Sequence, residues 1–236
     1  MKLYIPLALL FIFNSTGLSA QKLNASQVLE KAIHYHDPNG NWDQFNSTFQ
    51  VTMTTPASPE RVSTITLNLP ADYFNLVAKR DGDTTTFTLD KGRCKTSITD
   101  SIAQAGARTP CETATLYKNY YTYLYGLPMK LKDPGANLAP TVEKVTFKEK
   151  EYLKLKVTYD EAIGNDVWFF YFNPTTFAME VYQFFKGEPD GAGKDTGEYI
   201  LLSEESTVEG IKMPKVRAWY YNKDDTHLGT DTITEN

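Results

Sequence analysis

Apolar and polar residues alternate with a period of two along most of the chain, which predicts antiparallel β-strands with one wet face. The clearest example is residues 153–159, where apolar side chains at odd positions alternate with polar ones at even positions. Residues 167–172 are apolar throughout, which predicts a strand covered on both faces. We therefore expect an α+β fold, mainly antiparallel β: one large curved sheet of about ten strands, an open half-barrel wrapped around a central helix, with an N-terminal helix over residues 24–36.

One segment departs from the alternation and predicts a well-capped central helix. Thr109 is a favourable N-cap, Pro110 suits the first helical position, and Glu112 can complete a capping box. Gly126 and Pro128 are typical of the end of a helix. The sequence therefore predicts both ends of this element as well as its existence.

The central helix carries an unusually broad aromatic arc. Tyr117, Tyr121 and Tyr125 recur at intervals of four residues, and Leu124 lies beside them. This pattern has two interpretations: a core helix that buries area on a sheet, or a helix that closes a sheet holding a ligand. The pattern alone leaves both open.

The first residues have the layout of a cleavable secretory signal, with an apolar run at residues 3–13 and small or polar residues up to Ala20. We expect a signal peptide over residues 1–20 and a single domain over residues 21–236. The protein would be exported, and periplasmic or secreted. Nothing later in the chain has the roughly 20 continuous apolar residues of a membrane-spanning helix, so we expect no transmembrane segment in the mature chain.

The charge balance is mildly acidic, with 24 basic and 29 acidic residues and a formal net charge of −5 at pH 7. Such a balance provides no basic surface for nucleic acid and little attraction to anionic membranes. Nucleic acid is therefore not an expected partner.

Cys94 and Cys111 are the only cysteines, and an isolated pair in an exported chain favours one disulfide. Cys111 lies in the first turn of the central helix, so the bridge would fix the start of that helix to the strand region before it. The alternative, a catalytic or metal-binding thiol pair, has no histidine nearby in sequence to support it.

No catalytic motif stands out: the chain has no Gly-x-Ser-x-Gly turn, no phosphate-binding glycine-rich loop and no zinc-binding His-Glu-x-x-His. His34 and His36 are the nearest candidates for metal ligands, but residues two apart on a helix point in diverging directions. We therefore expect no cofactor, no metal and no enzymatic activity. An enzyme stays open as an alternative if Asp166 or Glu180 meets a histidine in a cleft.

Several phrases resemble the lipoprotein-carrier superfamily typified by LolA and LolB. FYFNPTT at residues 170–176 is similar to a strand and turn of those carriers, and VEGIKMP at residues 208–214 is similar to their late hairpin. YYTYLYGLPMKLKDPG at residues 120–135 and WYYNKDD at residues 219–225 more closely resemble an uncharacterised family of exported proteins from Gram-negative bacteria. The resemblance implies an open half-barrel whose concave apolar face shelters acyl chains in the periplasm.

The carriers of this superfamily also use a basic residue of the sheet to hold the covering helix. The sequence does not allow this basic residue to be matched to Arg61, Arg80 or Arg93. The resemblance therefore implies a carrier fold without assigning this contact.

The aromatic surplus of 15 Tyr, 13 Phe and 3 Trp suits a cavity for lipid-like molecules as well as an ordinary core. Together with the resemblance it gives our leading hypothesis, a non-enzymatic periplasmic carrier of a lipid, a lipoprotein acyl chain or another hydrophobic ligand, with an envelope protein as a further candidate partner. The alternative is a structural or interaction module of the cell envelope with a filled core and no ligand. The expected lining residues are Tyr117, Tyr121, Leu124, Leu153, Leu155, Val157, Trp168, Phe170 and Phe172.

Overall fold

Twelve antiparallel strands form one open sheet in the computed structural model, which describes residues 23–98 and 108–235. The expected fold class is confirmed, with twelve strands in place of about ten. The predicted signal peptide lies outside the described residues. The strands are β1 (Asn46–Thr55), β2 (Ser58–Asn68), β3 (Tyr73–Arg80), β4 (Asp83–Asp90), β5 (Arg93–Ile98), β6 (Ala136–Phe147), β7 (Lys150–Tyr159), β8 (Val167–Phe172), β9 (Met179–Phe185), β10 (Glu198–Val208), β11 (Ile211–Tyr221) and β12 (His227–Glu235).

Two α-helices accompany the sheet, α1 (Ala25–His36) and α2 (Pro110–Tyr125), and both begin with a capping box. In α2 the Thr109 hydroxyl accepts a hydrogen bond from the backbone N–H of Glu112, whose carboxylate accepts one from the backbone N–H of Thr109. These contacts satisfy N–H groups that have no partner inside the helix. The predicted helix starts are confirmed. Neither helix in the described part of the chain is long and apolar enough to cross a membrane.

Strand β6 begins at Ala136, shortly after a 3-10 helix over Met129–Lys132. β6 is an edge strand that pairs with β7 alone. Pro140 is tolerated there because a proline without an N–H disrupts no second ladder at a sheet edge.

The strand order is β5-β4-β3-β2-β1-β12-β11-β10-β9-β8-β7-β6. The first and last strands of the chain pair in the middle of the sheet, while β5 and β6, which follow each other in sequence, lie at opposite edges. The segment between them contains α2, which therefore has to pass across one face of the sheet. This topology places the central helix over the sheet, as the sequence predicted.

Buried side chains form two clusters, one on each face of the sheet. The inner cluster joins α1, α2 and the inward residues of most strands. The outer cluster consists of Tyr152, Val167, Phe169, Tyr171 and Val181. Strand β8 contributes to both, because its even-numbered residues face the inner cluster and its odd-numbered residues the outer one. The expectation that residues 167–172 are covered on both faces is confirmed.

The predicted disulfide is present between Cys94 at the start of β5 and Cys111 in the first turn of α2, with a Cα–Cα distance of 5.9 Å. It connects the beginning of α2 to the edge strand from which the chain leaves the sheet. Most of the chain between the two cysteines lies outside the described residues.

Candidate hydrophobic ligand site

The tyrosine stripe of α2 packs on the sheet. Each of its three tyrosines contacts one phenylalanine of a different strand: Tyr117 contacts Phe87 of β4 at 5.5 Å between ring centroids, Tyr121 contacts Phe74 of β3 at 6.4 Å, and Tyr125 contacts Phe49 of β1 at 4.9 Å. This face of α2 buries large apolar area on one half of the sheet. The periodicity seen in the sequence thus reports the contact between helix and sheet.

All nine residues expected to line a ligand site lie in or against the inner cluster. Tyr117 and Trp168 are half-buried and pack against it. The other seven are buried within it: Tyr121, Leu124, Leu153, Leu155, Val157, Phe170 and Phe172. The structure therefore brings the nine together on the face that α2 covers, and their contact with a ligand stays a prediction.

Half-buried rings surround the opposite side of α2, where it meets the ends of β7, β8, β9 and β11. We call this group the aromatic rim; it consists of Tyr120, Tyr123, Tyr159, Trp168, Phe184 and Trp219. Tyr123 lies 5.7 Å from Trp168 between ring centroids, and Tyr120 lies 6.3 Å from Trp219. Aromatic rings that are packed on one side and accessible on the other are suited to contact with an apolar ligand.

A cleft of about 290 Å³ opens at one end of the aromatic rim. Tyr123, Tyr159 and Trp168 form its apolar wall, and Ile163, which is 58% exposed, extends that wall outward. Its polar edge consists of Lys130, Asp133 and Asp166, with Lys130 and Asp133 joined as an ion pair. The cleft thus has the composition of a small hydrophobic binding site, with charge at its border and rings at its base.

The two tyrosines of the cleft are neutral at physiological pH. Burial raises the pKa of Tyr159 to about 12 and that of Tyr123 well above its ordinary value. Their hydroxyl groups bond to each other, which leaves the ring faces as the accessible surface of this wall. The aromatic wall of the cleft therefore presents uncharged ring carbon to a ligand that enters it.

Three charged residues lie in one lateral row across the inner face. Arg217 of β11 is the cross-strand partner of Asp231 in β12, and Met53 of β1 is the partner of both Asp231 and Arg61 of β2. We call Arg217, Asp231 and Arg61 the polar row. It lies under α2, and the ring of Tyr125 covers the Arg217 guanidinium at 3.9 Å.

Arg217 and Asp231 of the polar row are buried and Arg61 is half-buried, and much of the hydrogen-bonding capacity of the row is unused. Arg217 is 1% exposed and donates from Nη1 to the carbonyl oxygen of Pro214 at 2.7 Å. Asp231 Oδ2 accepts from Trp219 Nε1 at 3.2 Å and from the Tyr120 hydroxyl at 3.5 Å. Among the described residues, several buried atoms make no hydrogen bond: Nε and Nη2 of Arg217, Nε of Arg61, Oδ1 of Asp231, Oγ of Ser63 and the hydroxyls of Tyr125 and Tyr182.

The charges of the polar row act on each other in a largely buried environment. Burial raises the pKa of Asp231, while the positive charges of Arg217 and Arg61 oppose that shift. Burial also raises the pKa of Tyr120 and Tyr125 well above the ordinary value, so both are neutral donors. With Asp231 ionised, the polar row carries two positive charges and one negative charge.

Comparison with known proteins places the chain in a family and a fold. The family of unknown function DUF6503 matches residues 5–236. The chain belongs to this family. No curated protein matches the chain.

Two solved structures match the DUF6503 chain over most of its length. A LolA superfamily protein, NE2245 from Nitrosomonas europaea, has a TM-score of 0.51 at 10% sequence identity, with 90% of this chain and 92% of that chain covered. A DUF1329 family protein from Desulfovibrio piger has a TM-score of 0.40 at 7% identity, with 89% and 92% covered. The resemblance to the LolA superfamily is confirmed at the level of the fold.

The histidine pair of the DUF6503 chain has a structural arrangement. His34 is exposed, whereas His36 is buried at the end of α1. Nε2 of His36 accepts a hydrogen bond from the backbone N–H of Met179 at 2.9 Å, and Nδ1 donates to the carbonyl oxygen of Lys212 at 2.6 Å. Within residues 23–98 and 108–235, no group of three or more His, Cys, Asp or Glu side chains is placed to hold a metal ion.

An enzyme would be favoured if Asp166 or Glu180 met a histidine in a cleft, and this condition is met only in part. His36 and Glu180 line the same surface groove of about 370 Å³. Both ring nitrogens of His36 are bonded to backbone groups, however, and Glu180 is paired with Lys150. A general base needs a free nitrogen or carboxylate oxygen within reach of a substrate proton. The groove therefore gives no support to acid–base catalysis by His36.

Sequence reasoning did not identify the polar row. A usable signal existed for Arg217, which is the single charged residue in the otherwise apolar or aromatic positions 216–221. A charge at an inward position of a strand is exceptional, because buried charge is costly unless it is paired. Asp231 gave no such signal, since its neighbours in sequence are both threonines, and Arg61 directly follows the charged Glu60.

Proposed function

We propose that this chain is an exported, non-enzymatic carrier or binding protein for a lipid, a lipoprotein acyl chain or another hydrophobic ligand. The observation that carries the proposal is the cleft of about 290 Å³ that α2 and the aromatic rim form beside the inner cluster. The fold shared with a LolA superfamily protein supports it, since a curved sheet with a covering helix is the framework of that superfamily. Periplasmic location is part of the same proposal.

The ligand would contact the ring faces of Tyr123, Tyr159 and Trp168 first. Trp168 belongs to the nine residues expected from sequence, and it connects the cleft to Phe170, with ring centroids 6.0 Å apart. An acyl chain in the cleft would extend the inner cluster outward over apolar surface. Burial of that surface would stabilise the complex by roughly 25 cal/mol per Å² before the costs of association.

A substitution that fills the cleft tests this proposal without disturbing the core. Gly164 lines the cleft, and a Cβ added there would meet nothing within 4 Å. We expect Gly164→Phe to abolish the fluorescence gain of the neutral apolar probe N-phenyl-1-naphthylamine. Gly191→Phe is the matched control, because an added Cβ there would be 3.8 Å from its nearest neighbour and the residue is not among those that line the cleft. We expect the control to bind as the wild type does.

Two measurements decide the outcome. Native mass spectrometry of protein purified from membranes is expected to show a retained lipid in the wild type and in Gly191→Phe, but not in Gly164→Phe. If no lipid is retained and the probe gains no fluorescence from any of the three proteins, the carrier proposal is wrong.

The dense packing of the inner cluster favours a second candidate, a structural or interaction module of the cell envelope. Seven of the nine expected lining residues are already buried against other side chains. A module of this kind would bind neither probe nor lipid in the test above. It would instead be retained by an envelope protein through its surface.

A further inference from the structure

We propose that the polar row binds the anionic head group of the ligand, so that the ligand is a single-charged amphiphile such as a fatty acid carboxylate. This inference rests on the proposed function and adds the chemical class of the ligand. It is carried by the geometry of Arg217, by the charge balance of the polar row and by a line of rings that connects this row with the cleft.

Arg217 presents a fixed and unused pair of donors. Nη1 is held by the carbonyl oxygen of Pro214, and the ring of Tyr125 covers one face of the guanidinium. Nε and Nη2 are buried and form no hydrogen bond of normal geometry with a described residue, although the Tyr182 hydroxyl approaches the guanidinium. These two N–H groups lie on the same edge of the guanidinium, which is an edge that binds both oxygens of a carboxylate. The side chain is therefore arranged for a bidentate anion.

Asp231 does not occupy this edge, although it is the cross-strand partner of Arg217. Its Oδ2 is bonded to Trp219 and Tyr120, and its Oδ1 makes no hydrogen bond. No ion pair within 4 Å joins Asp231 to Arg217 among the described residues. The indole and the phenol thus hold the internal carboxylate away from the guanidinium.

The charge balance favours a ligand with one negative charge. Arg61 and Arg217 together carry two positive charges and Asp231 one negative charge, and an unpaired buried charge is costly. A carboxylate head would bring the sum to zero. A phosphate monoester with two negative charges would leave the site with a net negative charge.

A line of aromatic rings connects the polar row with the cleft. Trp168 of the cleft lies 6.3 Å from Tyr182 between ring centroids, and Tyr182 lies 6.0 Å from Trp219. Trp219 in turn donates to Asp231. Tyr182 is fully buried between the half-buried Trp168 and Trp219. An amphiphile with its head at Arg217 would therefore displace the side chains that cover Tyr182 and lay its chain along these rings toward the cleft.

The test compares dodecanoate with dodecanol, which has the same chain and no charge, by isothermal titration calorimetry. We expect the wild type to bind dodecanoate about tenfold or more tightly than dodecanol, because hydrogen bonds to charged groups contribute about 1.5–3 kcal/mol. In Arg217→Met this preference should vanish through loss of dodecanoate affinity, with dodecanol unchanged. Arg80→Met is the matched control, since Arg80 is the cross-strand partner of Arg61 but is exposed.

A second variant keeps the test decisive if Arg217→Met fails to fold. Asp231→Asn removes the internal negative charge while preserving shape, so it should raise the affinity for dodecanoate severalfold and leave that for dodecanol unchanged. A purely structural polar row would show no such selective gain.

The remaining outcomes are distinguishable. Equal binding of dodecanoate and dodecanol by the wild type would overturn the head-group assignment while the carrier function stands. Acetate binding as tightly as dodecanoate would overturn the assignment to an amphiphile, since the occupant would then be a small free anion. Absence of binding by either long-chain compound would overturn both the inference and the proposed function.

Discussion

The guanidinium carbon of Arg217 lies 3.9 Å from the centre of the Tyr125 ring, which joins the sheet and α2 at the buried centre of the molecule. Tyr125 contributes its ring to this contact, because its hydroxyl makes no hydrogen bond with the described residues. The same ring contacts Phe49 of β1 at 4.9 Å between ring centroids. Tyr125 thus stabilises the position of α2 by packing and by a cation–π interaction.

This relationship predicts different effects of two substitutions at Tyr125. Tyr125→Phe keeps the ring and removes a buried hydroxyl without a partner, so the free energy of unfolding should stay within about 1 kcal/mol of the wild type. Tyr125→Leu removes the cation–π contact and leaves unfilled volume. It should lower the free energy of unfolding by about 2 to 4 kcal/mol. Urea unfolding followed by circular dichroism measures both. A large loss in Tyr125→Phe would show that the hydroxyl is bonded in solution.

The predicted caps of α2 were readable from sequence because they are local. Thr109 and Glu112 are three residues apart, and their mutual hydrogen bonds depend only on the first turn of the helix. The alternation of residues 153–159 likewise reports which face of β7 is inward. Local chemistry and periodicity therefore predicted the element types and the inner face of the sheet.

The polar row could not be predicted because long-range strand pairing creates it. Arg61 and Asp231 are far apart in sequence, and only the pairing of β12 with β1 places both beside Met53. The aromatic rim has the same origin, since the order of β8 to β11 places Trp168 and Trp219 on either side of Tyr182. Alternation predicts a strand's faces, but it does not specify which strands are neighbours.

The disulfide should make a measurable contribution to stability. Cys94 and Cys111 are separated by 17 positions, and closing a loop of this size contributes about 3 kcal/mol in the chain-entropy model. We expect the Cys94→Ser, Cys111→Ser double variant to melt about 6–12 °C below the wild type. Differential scanning calorimetry with and without reductant provides the control. Reductant should lower the melting temperature of the wild type and leave that of the double variant unchanged. Equal melting of the oxidised and reduced wild type would contradict a stabilising bridge.

The end of α2 should be intolerant of a single added methyl group. Gly126 has φ −92°, which any residue can adopt, but a Cβ there would lie 2.2 Å from Cζ2 of Trp42 and 2.6 Å from the carbonyl oxygen of Thr122. Neither atom can yield easily, since the indole is buried and the carbonyl belongs to the helix. Gly126→Ala should therefore cost about 1–3 kcal/mol of unfolding free energy.

Gly164→Ala is the matched control for this effect, because a Cβ at Gly164 has open space around it. We expect its free energy of unfolding to equal that of the wild type within about 0.5 kcal/mol. Chemical denaturation of both variants makes the comparison. Equal stability of Gly126→Ala and Gly164→Ala would show that Trp42 moves aside at little cost.

His36 should make the stability of the protein sensitive to mild acid. Burial lowers the pKa of His36 below its ordinary value of 6.5, although the hydrogen bond to the carbonyl oxygen of Lys212 opposes this shift. The unfolded chain therefore takes up a proton on His36 at a higher pH than the folded chain does. The contribution of neutral His36 is fully present above pH 6.5 and is lost as the pH falls through the lowered pKa of the folded state.

Urea unfolding at a series of pH values from 8 down to 5 measures this loss. Protonation would also place a hydrogen on Nε2, which now accepts from the backbone N–H of Met179, so the acid form loses a buried contact as well. We expect the wild type and His34→Gln, whose altered side chain is exposed, to lose stability in parallel. His36→Gln should be less stable at pH 8 but show a smaller further loss at pH 5. If His36→Gln and the wild type lose stability equally between these pH values, the acid sensitivity arises from other groups.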